Sequence, residues 1–161
     1  MTTLIIALIL TIAYNAVAII KNKGIPPSLS DSFYVFGGRD GWGYVFYVYL
    51  ASIVFLLMPL MLDITPENWQ FIAFIGVASL GFVGAAADFK SHDRKTHVVS
   101  ALLSAVFSLL WCLVVGVWQV ALLSTGAAIV FAYTNPSSKV YWLEMGCFAS
   151  VFITLFLILL T

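Results

Sequence analysis

Apolar residues run along this chain in long blocks, and polar residues gather into a few short breaks between them. Thr3 to Ile20 is one such block, closed by Lys21-Asn22-Lys23-Gly24. Each block is about as long as the roughly 20 residues a helix needs to cross a bilayer. The breaks predict six spans over about 3–20, 43–62, 66–87, 97–115, 117–133 and 136–160. The fold class expected is all-α, a polytopic transmembrane six-helix bundle forming one domain over residues 1–161. The stretch from Val98 to Tyr133 would measure about 54 Å as a single helix, too long for one crossing. Gly116, followed by Trp118-Gln119, is the place to divide it.

The breaks carry their own instructions. Ile25-Pro26-Pro27 cannot continue a helix, because proline lacks an N–H and restricts the residue before it. Ser28-Leu29-Ser30-Asp31-Ser32 then offers caps for a short interfacial turn containing Phe33, Tyr34 and Phe36. Gly37-Gly38-Arg39-Asp40-Gly41 reads as a flexible reversal, and Trp42, Tyr44, Tyr47 and Tyr49 as an aromatic belt at headgroup level. Pro59 is expected to kink the second span. Thr65-Pro66-Glu67 reads as an N-cap, a first helical position and an acidic first turn. Asn135-Pro136 repeats that cap for the last span.

Small residues mark the contacts between spans. Gly76, Ser79, Gly81, Gly84 and Ala85 lie on the third, and Ser100, Ser104 and Ser108 recur every fourth residue on the fourth. In lipid, close backbone approach replaces the hydrophobic drive, so these two spans should form a tight hairpin. A serine ladder lining a water path is the alternative.

Composition agrees, with 63% hydrophobic and 9% charged residues against roughly 25% charged in a soluble domain. With six spans, loops 21–42, 88–97 and 134–139 fall on one side and hold all seven Lys and Arg. The opposite loops hold Asp63 and Glu67. The positive-inside rule makes the basic loops cytoplasmic and puts both termini outside. Ala16-Val17-Ala18 resembles a signal cleavage site, but no positive n-region precedes it, so the first block is read as a retained span. Cys112 and Cys147 lie about 10 Å apart in depth, too far for a disulfide.

Candidate chemistry gathers at the cytoplasmic end. Asn15 lies about 9 Å inside the first span, Glu144 a turn or two into the sixth, and His97 and Ser100 at the start of the fourth. Asp88 closes the third, and Ser30 and Asp31 lie on the loop above. These seven form the expected ligand-binding set, most plausibly for a lipid or small amphiphile. An ionisable residue in a span is costly unless paired, so Glu144 points to a partner, with His97 the natural one. His97 could serve as a general base with Asp88 or Glu144 orienting it and Ser30 or Ser100 as nucleophile. Asp31, Asp88 and His97 could instead hold a metal, or a His–Glu pair could relay protons. The blander reading is that His92 to Lys95 are a solvated topology signal, that His97 caps its span and that Glu144 snorkels. Histidines 92 and 97 are about 140° apart on a helix and cannot pair as i, i+4 metal ligands. No cofactor is implied; membrane lipids are the expected partners, nucleic acid is not, and homo-oligomerisation stays open.

Two stretches resemble a known family. Pro27-Ser28-Leu29-Ser30-Asp31-Ser32, and Gly81-Phe82-Val83-Gly84-Ala85-Ala86-Ala87-Asp88-Phe89 followed by His97 and Ala101, look like the loop and glycine-rich span of DRAM-like six-span membrane proteins and their bacterial relatives. The resemblance implies a lipid-associated or membrane-organising role. In eukaryotic members that loop is taken to face away from the cytoplasm, opposite to the side the basic residues indicate here.

Overall fold

The computed structural model describes residues 1–87 and 94–160. Seven α-helices account for nearly all of them, and no strand occurs among the described residues. They are α1 (Thr2–Asn22), the single turn α2 (Ser32–Val35), α3 (Tyr44–Ile64), α4 (Gln70–Ala86), α5 (Arg94–Val114), α6 (Trp118–Thr134) and α7 (Lys139–Leu160). Five helical segments are long and apolar enough to cross a membrane: α1, α3, Glu67–Ala86, α5 and Pro136–Leu160. At 17 residues α6 is shorter.

Packing follows the buried positions. On α1 these include Leu4, Ala7, Thr11, Tyr14 and Ala18, and on α5 His97, Ser100, Ser104, Ser108 and Trp111. Steps of three and four place such residues on one stripe of each helix. The helices close a ring in which α1 packs on α3, α3 on α4, α4 on α5, α5 on α7 and α7 on α1, with α6 against α5 and α7. The rest of each helix carries apolar side chains outward, Phe55, Phe74, Phe82 and Leu123 among them. Such an apolar exterior suits lipid rather than water.

The expected tight hairpin of α4 and α5 is present. A Cβ on Gly76 would lie 3.2 Å from the backbone nitrogen of Ser108. An equally close crossing joins α6 to α7, which the sequence reading missed. A Cβ on Gly146 would come within 2.5 Å of Ala128 Cβ, and the Ser124 and Ser150 hydroxyls bond across the same seam. Gly146 and Ser150, four apart, were the available signal.

One expected helix boundary is found and two differ. Gly116 does divide the long block, in a left-handed conformation (φ 82°) with Gly116 N donating to Leu113 O and Val117 N to Cys112 O. That pairing is a Schellman end, which favours glycine. Thr65, in contrast, does not cap α4. It closes α3, its hydroxyl turned back to Met61 O and also accepting Trp111 Nε1–H at 2.8 Å, and α4 starts at Gln70 after a 3-10 turn. Asn135 likewise finishes α6, donating to Phe131 O, while Pro136–Ser138 forms a 3-10 turn before α7. A β-region approach to proline lets Thr and Asn bond backwards as readily as forwards. α3 runs through Pro59 as one helix.

Candidate functional site

The connection from α1 to α3 builds the site. α1 ends with Lys23 in the left-handed region (φ 55°), Lys23 N on Ile20 O and Gly24 N on Ile19 O. Prolines 26 and 27 prevent the helix from resuming, and the chain turns back onto the bundle. Ser28 then organises a local turn. Its hydroxyl donates to Asp31 Oδ2 at 2.8 Å and accepts Asp31 N–H at 3.1 Å. This is the side-chain-to-backbone pattern that competes with regular structure and starts short turns, and α2 follows directly. In the reversal at residues 37–41, Gly37 and Gly38 adopt φ 91° and 61°, and Trp42 N bonds to Phe36 O at 2.7 Å.

The segment is seated in the end of the ring. Pro26, Ser28, Leu29, Ser30, Ser32 and Phe33 are buried. α7 grips it at three points: Ser138 Oγ donates to Ile25 O, Tyr141 N to Pro27 O, and Glu144 Oε2 accepts Leu29 N–H at 2.6 Å. The Tyr141 bond satisfies one of the unpaired donors of the α7 first turn. From α5, His97 Nε2 meets Ser30 Oγ at 3.0 Å. From α1, Tyr14 meets the Ser32 hydroxyl. Because Ser32 spends its one proton on Leu29 O, Tyr14 is the donor there. Tyr34 reaches past the ring end to donate to Ala87 O at 2.9 Å. Four long helices are thereby tied through one loop.

A second polar layer lies beneath. Tyr141 Oη donates to Asn15 Oδ1 at 2.9 Å, Asn15 Nδ2 to Thr11 O at 2.8 Å, and Thr11 Oγ1 to Ala7 O at 2.9 Å. Tyr49 Oη approaches Thr11 Oγ1 at 3.4 Å, and its ring stacks on Tyr14 with centroids 4.1 Å apart. A polar residue inside a span is suited to an interhelical bond, and Asn15 makes one, from α1 to Tyr141 on α7. Tyr49 and Tyr47 leave the anticipated aromatic belt: Tyr49 is buried and Tyr47 packs against Phe33, while Trp42 and Tyr44 face outward.

Of the expected site residues, the structure unites Ser30, Asp31, His97 and Glu144 around the loop, places Ser100 buried one turn below His97, and puts Asn15 in the layer beneath. Asp88, with His92, falls outside the described residues. His97 and Glu144, expected as partners, bond to different parts of the same loop, Ser30 and the Leu29 amide. Ser30 is 1% exposed and His97 4%, so the serine nucleophile is covered in this conformation. Among the described residues no group of three His, Cys, Asp or Glu converges as a metal site requires. Sequence reasoning missed Ser28, Ser32, Tyr14 and Tyr141, for no periodicity marks a loop folded back into a bundle.

Further down, a cavity of about 40 Å³ lies between α3, α4, α5 and α7, bordered by Met61, Gly76, Ser104, Ser108 and Cys147. Its size admits water. Two of the three ladder serines thus border a void, and both cysteines are free thiols.

Lys21, Lys23, Arg39, Arg94, Lys95 and Lys139 are all exposed, on the end of α1, the connection that follows it and the starts of α5 and α7, whereas Asp63 is exposed in the last turn of α3 and Glu67 in the connection from α3 to α4. No family model matches this chain, and no curated protein or solved structure is similar to it.

Proposed function

We propose that this is a six-crossing membrane protein that binds an anionic lipid headgroup, or a small anionic amphiphile, at the end of the bundle closed by the seated loop. One observation carries the reading: six exposed cations lie on the segments at the bundle end that receives a polar loop, and Glu144 holds that loop by the Leu29 amide while His97 and Tyr14 hold it by the Ser30 and Ser32 hydroxyls. Basic residues at the headgroup layer contribute about 1 kcal/mol each toward anionic lipid. By the positive-inside rule, the same asymmetry supports a cytoplasmic location for that end, with both termini outside. α6 completes the count. Its 17 residues reach the lower limit of a span, and Trp118 and Tyr133, both exposed, stand at its opposite ends like interfacial anchors. The motifs shared with DRAM-like proteins fit such a lipid-associated role.

The Ser30–His97 contact favours a second reading, a hydrolase with Ser30 as nucleophile. Burial of both side chains weighs against it, since an ester would have to displace the loop first.

Native mass spectrometry of the purified protein, offered equal amounts of phosphatidylglycerol and phosphatidylcholine with identical chains, tests the proposal. Preferential retention of the anionic lipid, lost when Lys21, Lys23, Arg94, Lys95 and Lys139 are replaced by Gln, is the expected result. Equal retention of both lipids overturns it.

A further inference from the structure

Proton accounting in the loop yields an arrangement that lipid binding does not require. Ser28 has one hydroxyl proton and commits it to Asp31 Oδ2 at 2.8 Å. The 3.0 Å bond between the Ser28 and Ser30 hydroxyls is then made by Ser30 donating. With its own proton directed at Ser28, Ser30 can meet His97 Nε2 at 3.0 Å only as an acceptor. The three bonds therefore run in one direction, from the imidazole N–H through two hydroxyls to a carboxylate.

We propose that Ser30 and Ser28 are a proton wire between His97 and Asp31. In the forward step the imidazolium Nε2–H bond breaks and its proton passes to Ser30. Ser30 hands its own proton to Ser28, and Ser28 hands its own to Asp31 Oδ2. Imidazolium and carboxylate become neutral imidazole and carboxylic acid, each hydroxyl ends with one proton, and every bond in the chain reverses its donor. Asp31 then releases the proton to water, and the same path run backwards recharges His97. The ends suit this traffic. His97 is 4% exposed, whereas Asp31 is only partly buried at the mouth of the bundle. Glu144 faces the same loop from α7 on the Leu29 amide, and Arg94 and Lys95 precede His97 on α5, exposed.

The test is the solvent exchange rate of the His97 Nε2 proton, measured by nitrogen-15 NMR on histidine-labelled protein in micelles with His92 replaced by Asn. Asp31→Asn keeps an oxygen that accepts from Ser28 but cannot take up the proton. It is expected to slow exchange by about tenfold or more, the effect of roughly 1.36 kcal/mol of added barrier. Ser28→Ala should slow it as much, and Ser28→Thr, which restores a hydroxyl, should recover it. Exchange slowed less than that in Asp31→Asn, in protein whose spectrum shows the native fold, overturns the wire. So does failure of Ser28→Thr to recover the rate.

Discussion

Glu144 Oε2 accepts the backbone N–H of Leu29 at 2.6 Å, joining residues 115 apart in the chain. An amide turned into the end of a helix ring has lost water and needs an acceptor, and a carboxylate on a span is costly unless something bonds to it. Each group answers the other's requirement. A charge-assisted bond of this kind is roughly twice as strong as a neutral one.

Replacing Glu144 with Leu leaves the Leu29 amide buried without this acceptor, at a cost of about 1–3 kcal/mol. Glu144→Gln preserves an acceptor oxygen and should lose about half as much or less. Thermal unfolding in detergent is expected to rank wild type above Gln and Gln above Leu. Protease cleavage between residues 24 and 31 should rise in the same order, because the loop is what the carboxylate holds.

The bundle was legible and the loop was not, for one physical reason. Apolar blocks, Gly116 and the Ser100-Ser104-Ser108 ladder act through helical periodicity and lipid, both of which leave marks at fixed spacings. Glu144 was recognisable as an anomaly because a charge in a span must be answered. What answers it is a backbone amide, and amides have no signature in a sequence. Tyr141 and Asn15 illustrate the same limit: Asn15 announced an interhelical bond, but its partner lies 126 residues away. Thr65 shows that a good cap residue between two helices can belong to either.

Two glycines, one on the α6–α7 seam and one facing outward from α6, should respond oppositely to alanine. At Gly146 the added methyl would meet Ala128 Cβ at 2.5 Å and Ser124 O at 3.2 Å, forcing α6 away from α7. Overpacking of this kind costs about 1–3 kcal/mol. At Gly126, in the middle of α6, nothing lies within 4 Å, and alanine gains about 0.5–1 kcal/mol of helix preference. Melting temperatures of Gly146→Ala and Gly126→Ala in one detergent check this, the first below wild type and the second at or above it.

The proposed six crossings, with the basic loops inside, make a labelling prediction. Cysteines introduced at Asn22 and Ser137 should react with a membrane-impermeant maleimide only after the inner face is opened. One at Asn68, exposed beyond α3, should react in intact cells. If α6 failed to cross, Ser137 would label with Asn68, and the bond from Ser138 Oγ to Ile25 O would join opposite compartments. That bond makes the Asn22 and Ser137 results a matched pair.

At the other end of the ring, Trp111 donates to Thr65 Oγ1 at 2.8 Å while fully buried, and Thr65 passes its own proton back to Met61 O. The indole thus fastens α5 to the turn after α3, at the level where the acidic connection begins. Trp111→Phe removes the donor and part of the ring, and Thr65→Val removes the acceptor while keeping the shape. Were the two groups energetically independent, the double substitution would cost the sum of the singles. Because each single leaves a buried polar group or a void behind, the double variant should instead be more stable than that sum by about 0.5–1.5 kcal/mol, the range of one net hydrogen bond. Chemical unfolding of the four proteins in mixed micelles measures the difference directly, and strict additivity would mean that packing of the indole, and not its N–H, holds this end closed.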